Sequence, residues 1–169
     1  MAIRAPRAPD QDILLDTSLG RAIPNAQART IQHPLAAKAL EESITFPSAL
    51  RLATDPQYNC HGLTLAGRRA GVHEDAEVTR VLQEDGFAVI EREHVLPGDL
   101  AIYYSDTGID HSALVVTKPE APGYIPFVVS KWGVFGPEVF HLATTTPGYS
   151  TSRIIYYRQD PQRASATND

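Results

Sequence analysis

The chain has a single cysteine among its 169 residues. That excludes an intramolecular disulfide framework, and no CxxC pair or Cys/His spacing of a zinc site is present. Basic charge is also scarce. The net charge of −5 and a pI near 5.6 argue against non-specific binding to nucleic acid or to an anionic membrane surface. No apolar run is long enough to span a bilayer. Residues 1–12 carry two arginines but no apolar core segment, so no Sec-type signal is visible. The location stays unassigned, with the cytoplasm as the default. No internal repeat and no second core pattern appears. A hydrophobic content of 43% with 21% charged residues fits one soluble globular domain.

What is present falls into two halves. Residues 1–12, rich in Ala, Pro and Arg, read as a mobile arm, and 13–158 as the single domain. Helices are expected over 34–43, from Pro47 to Leu52, from Cys60 to about Arg69, and over Asp75 to Glu84. From Phe87 the pattern changes to period two. Strands are expected at 87–90, 99–104, 111–117 and 127–130, with a short one at Val139-Phe140 and a last one at 153–158. The loop at 119–123 connects two of them as a hairpin would. Residues 159–169 read as a disordered polar tail. Helices first and strands second predict an α+β fold, with the helices packed on a mostly antiparallel sheet of about five strands.

Cys60 lies in Tyr58-Asn59-Cys60-His61-Gly62-Leu63-Thr64, after a turn-like Asp55-Pro56-Gln57 and at the start of an expected helix. Unpaired N–H groups and the positive end of the helix dipole favour a thiolate there. They can also receive the oxyanion of an acyl-transfer intermediate. A buried structural cysteine is the plainer reading, since free cysteines are often buried. A catalytic thiol needs a base. His61 is adjacent in sequence, and neighbouring helical side chains point about 100° apart, which makes it a poor base. His111 opens an apolar strand after a tight turn, where a general base would sit, although an exposed strand-end histidine fits that position equally well. Asp99 and Asp110 read as turn and strand-end residues. No metal-ligand set or phosphate-binding glycine loop appears, and no cofactor is implied.

Three segments in order carry a resemblance: Cys60-His61-Gly62, then Pro97-Gly98-Asp99-Leu100-Ala101-Ile102, then His111-Ser112-Ala113-Leu114-Val115. Together they resemble the NlpC/P60 group of papain-like cysteine peptidases and amidases over roughly residues 58–132. The resemblance implies a cysteine-bearing helix packed on an antiparallel sheet that bears the histidine. It makes Cys60 the nucleophile and His111 the base. Ser130 takes the third, orienting position, with His141 as its competitor. The chain departs from the family pattern at Asn59 and His61, where an Asp and a Ser are usual. Tyr58, Asn59, His61 and Trp132 are the residues expected around a substrate. Tyr58 is near enough to donate to an oxyanion, and Trp132 either walls a cleft or packs the last loop. The expected activity is cleavage of an amide bond, of peptide or peptidoglycan type, through a thioester. An acyltransferase with the same dyad, or a non-catalytic peptide- or protein-binding domain, are the alternatives. Nothing in the sequence sets the oligomeric state.

Overall fold

The computed structural model describes residues 11–28, 34, 37, 38, 41, 48–53, 55–118, 120, 121, 123–146, 148–160 and 162. Residues 1–10 of the expected arm, residues 161 and 163–169 of the expected tail, and most of the helix expected over 34–43 lie outside them, while Gln159 closes the last strand opposite Phe87. The described chain runs β1 (Ser48–Leu52), α1 (Cys60–Leu65), α2 (Asp75–Glu84), β2 (Phe87–Ile90), a short 3-10 turn (Arg92–His94), β3 (Leu100–Ser105), β4 (Gly108–Val115), β5 (Phe127–Lys131), β6 (Glu138–Leu142) and β7 (Arg153–Gln159).

The fold expectation requires correction. Instead of a papain-like α+β arrangement with about five strands, the described residues form one seven-stranded sheet, in the order β1-β6-β5-β4-β3-β7-β2, and two short helices. Every pairing is antiparallel. Two local outcomes shift the balance from helix to sheet. Ser48–Leu52 is a strand paired to β6, where a helix was expected. Its partner lies about ninety residues downstream (Ala49 against Phe140), and a ladder of that kind overrides weak local propensity. The helix opened by Cys60 stops at Leu65, not near Arg69. Gly67 and Arg68 take left-handed conformations, with φ of 56° and 66°, and the Arg68 N–H turns back to the Gly62 carbonyl at 2.9 Å.

Side-chain alternation divides the core between the two faces of the sheet. On β3, Leu100 and Ile102 join Val72, Val78, Val81 and Leu82 beneath α2, while Ala101 and Tyr103 join Ala113, Val115 and Val128 on the other face. The segment 11–28 seals the helical side. Leu15 and Ile23 enter that core, and the backbones of Ala26 and Gly71 exchange hydrogen bonds of 3.0 and 2.7 Å. Gln11, within the span expected to be an arm, bridges Gln27. Asp99 caps a turn through the Leu96 N–H at 2.6 Å and takes a two-pronged ion pair from Arg158 (2.9 and 2.7 Å). Among the described residues no helix is long and apolar enough to cross a membrane.

Candidate active site

The site is built where two strands part. The β4–β5 ladder runs from Val115 opposite Val128 to Ala113 opposite Ser130 and stops. His111 and Ser112 on β4, and Lys131 on β5, lie beyond the last rung. Helix α1 packs across both strands there.

Asn59 starts α1. Its side-chain oxygen accepts from the Gly62 N–H (2.8 Å) and the Val72 N–H (3.2 Å), and its amide donates to the Val72 carbonyl (2.6 Å). It caps the helix and ties it to the following chain, and such a cap contributes about 1 kcal/mol. Gly62 has no substitute in this turn, because a Cβ there would sit 2.0 Å from the Ala70 carbonyl oxygen. The result is a buried Cys60 at the first helical position.

Burial alone would push the Cys60 thiol up. The charges of His61 and His111 and the approach of both rings outweigh it and hold the thiol well below its ordinary value. A six-residue helix adds little dipole of its own, so the imidazoles carry the effect. The two rings are held differently. His61 is buried, with Nδ1 2.9 Å from the Ser112 hydroxyl, which lies 2.9 Å from the Thr64 hydroxyl. Burial pushes His61 down, but the Cys60 thiolate and the Asp75 carboxylate bring it above its ordinary value. His111 is completely buried, stacked on Tyr149 (centroids 4.1 Å apart, 11° between planes) and tilted against Tyr103 (5.2 Å). Both rings act on the sulfur, neither through a hydrogen bond of normal geometry, and neither His111 ring nitrogen has a partner.

Ser130 shares the His111 face of the sheet through its pairing with Ala113, but it does not orient His111. Its hydroxyl meets His141 Nε2 at 2.7 Å and accepts from Trp132 Nε1 at 3.1 Å. His141 Nδ1 lies 2.8 Å from the Leu142 carbonyl, so Nδ1 carries the proton and Ser130 donates to Nε2. Burial pushes His141 down to about 4, and His111 nearby adds to the fall, so His141 is a neutral ring at pH 7. Ser130, Trp132 and His141 form a hydrogen-bonded polar group beside the site. Neither proposed third residue reaches His111.

The residues expected around a substrate are mostly occupied by the fold. Asn59 is spent on capping. Tyr58, expected as an oxyanion donor, gives its hydroxyl to Glu138 at 2.6 Å. Glu138 is fully buried and also receives Arg68 Nε (2.6 Å) and Arg51. These partners hold its carboxyl below the usual range against the cost of burial. Lys131 lies over the Tyr58 ring (5.1 Å) and donates to the carbonyls of Val134 and Gly136 (2.8 and 2.7 Å). Burial lowers it to about 8, while the charges of Asp55, Glu138 and Cys60 pull upward. Glu138 and Lys131 were not singled out in the sequence. A charged residue inside a strand between apolar neighbours, as in Val-Val-Ser-Lys-Trp, was the available signal.

Open clefts of about 540 and 530 Å³ lie elsewhere, lined by residues such as Ile90, Arg92, Ile154 and Tyr156, and by Lys118, Tyr124 and Phe127. Neither includes Cys60, His61 or His111. Among the described residues no group of three or more His, Cys, Asp and Glu is arranged to hold a metal ion. No family model, curated protein or solved structure matches this chain.

Proposed function

We propose that the chain is a cysteine-dependent hydrolase that cleaves an amide bond through a thioester formed on Cys60. The observation that carries this reading is a buried thiol flanked by two imidazoles that together favour its thiolate. The thiolate attacks the carbonyl carbon, an imidazole returns a proton to the leaving amine, and water resolves the acyl-enzyme. An amine in place of water makes the same chemistry an acyl transfer. Cys60→Ala should abolish turnover of an amide substrate and leave the circular dichroism spectrum unchanged. Turnover in a folded Cys60→Ala protein would end the reading. The thiol itself can be assayed without a substrate. Cys60 should react with iodoacetamide at pH 6 far faster than free cysteine does.

One observation favours a second reading, a non-catalytic peptide- or protein-binding domain. Cys60 is only 6% exposed and His111 is sealed. Under that reading the thiol is protected from iodoacetamide, and Cys60→Ala leaves peptide binding intact.

A further inference from the structure

Resting on the hydrolase reading, we infer that His61 is the proton acceptor of Cys60, and that Ser112 and Thr64 are positioning residues that fix the protonation of its ring. The argument follows hydrogen-bond direction through single-proton groups. The Thr64 hydroxyl faces two backbone carbonyls, those of Cys60 and His61, each at 3.2 Å. A carbonyl only accepts, so the Thr64 proton goes there, and Thr64 is left to accept from Ser112 at 2.9 Å. Ser112 has then spent its one proton and must accept from His61 Nδ1 at 2.9 Å. A neutral His61 is therefore protonated on Nδ1, with its lone pair on Nε2, the nitrogen left to act on the thiol.

The contrast with His111 supports the assignment. A shuttle must first take the thiol proton and then release it to a leaving amine. Both His111 nitrogens are enclosed and unpartnered, and nothing fixes which one is protonated. His61 has a defined donor side and a defined basic side. The charged groups that act on the pair are Asp75 from α2 on His61, and His111 from β4 and Lys131 from β5 on or beside Cys60.

The step balances as follows. In the resting pair the proton from Sγ already sits on His61 Nε2, and the thiolate bonds to the carbonyl carbon as the carbonyl π pair moves to oxygen. Nε2 returns it to the amine as the C–N bond breaks. Water then adds to the thioester and gives one proton to His61 Nε2, so that the acid departs and the thiolate–imidazolium pair is restored. Throughout, Nδ1–H stays on Ser112 and stabilises the imidazolium.

The test reads tautomer and reactivity separately. In Cys60→Ala at pH 8, nitrogen NMR of the imidazoles should show His61 as the Nδ1–H form. Adding Thr64→Val frees Ser112 to donate to Nδ1 and should drive His61 to the Nε2–H form. With Cys60 in place, Ser112→Ala should slow iodoacetamide alkylation at pH 6 about tenfold, the size of one hydrogen bond to a charged group, while Ser112→Thr retains most of the rate. An Nε2–H ring in the Cys60→Ala protein would overturn the inference. So would a tautomer that ignores Thr64→Val, or alkylation that ignores Ser112→Ala. A wild-type thiol no more reactive than free cysteine would bring down the hydrolase reading as well. A reactive thiol indifferent to Ser112 would bring down the relay alone.

Discussion

Two histidines flank Cys60, one tied down by hydroxyls and the other enclosed by aromatic rings. His61 has a hydrogen-bonded Nδ1 and a chain of donors behind it. His111 has shape around it and no partner for either nitrogen. Hydrogen bonds settle which atom holds a proton, whereas stacking settles only where the ring lies. Lying beside the same thiol therefore does not make two rings equal as bases.

The largest effect should come from removing the tied ring. His61→Gln should slow turnover on the order of a hundredfold, because general acid–base groups contribute about that much or more. His111→Phe keeps a flat ring between Tyr103 and Tyr149 and removes two unpartnered nitrogens. It should reduce turnover only about tenfold, the effect of one pKa unit on the thiol. It should leave the melting temperature level or raise it, since a buried unsatisfied polar group costs about 1–3 kcal/mol. If His111→Phe proved the more damaging to turnover, the comparison would be reversed and His111 would be the shuttle.

A smaller effect is carried by pH. The folded protein holds His141 near 4 through burial, below the ordinary 6.5, so between these values the unfolded chain binds more protons. Stability from this group is complete above pH 6.5 and is lost as pH falls toward 4. The loss is on the order of 2–3 kcal/mol at most. Denaturant unfolding at pH 7 and pH 4.5 should show a wild-type decrease that His141→Gln reduces. An equal decrease in both proteins would place the acid sensitivity elsewhere.

The smallest effect on rate belongs to Ser130→Ala. Its hydroxyl serves His141 and Trp132, so turnover should stay within about twofold of wild type, while unfolding free energy falls by about 1–3 kcal/mol. A tenfold loss of rate with unchanged stability would restore Ser130 to the catalytic group.

Local pattern was enough for some of this. The bounds of Asp75–Glu84 and Phe87–Ile90 follow from apolar period and the Asp85-Gly86 stop. The neighbourhood of the His111 strand and Ser130 follows from the turn between them. Ser48–Leu52 was not legible, because its strand state depends on a ladder to β6 far along the chain. The third residue failed for a related reason. Strand alternation puts Ser130 on the correct face, but it says nothing of His141 arriving from β6 to take the hydroxyl. His61 was discounted as a base on helix geometry alone, which ignores Ser112 reaching across from β4. Glu138 and Lys131 acquire meaning only once β5 and β6 lie against Tyr58 and Arg68.

That last arrangement bears on how the chain matures. Glu138 joins Arg51 of β1, Tyr58 just before α1 and Arg68 just after it. Cys60 and His61 leave the ribosome well before Ser112, and earlier still than Glu138. A nascent chain shorter than about 110 residues therefore carries a thiol with neither its relay nor its clamp, and one between about 112 and 138 residues has the relay residues without the clamp. Its reactivity should stay near that of free cysteine until the groups that lower the thiol, His61 and His111, are held against it. The onset of rapid alkylation thus marks a folding event, and chains stalled at successive lengths would show whether Ser112 or Glu138 completes it.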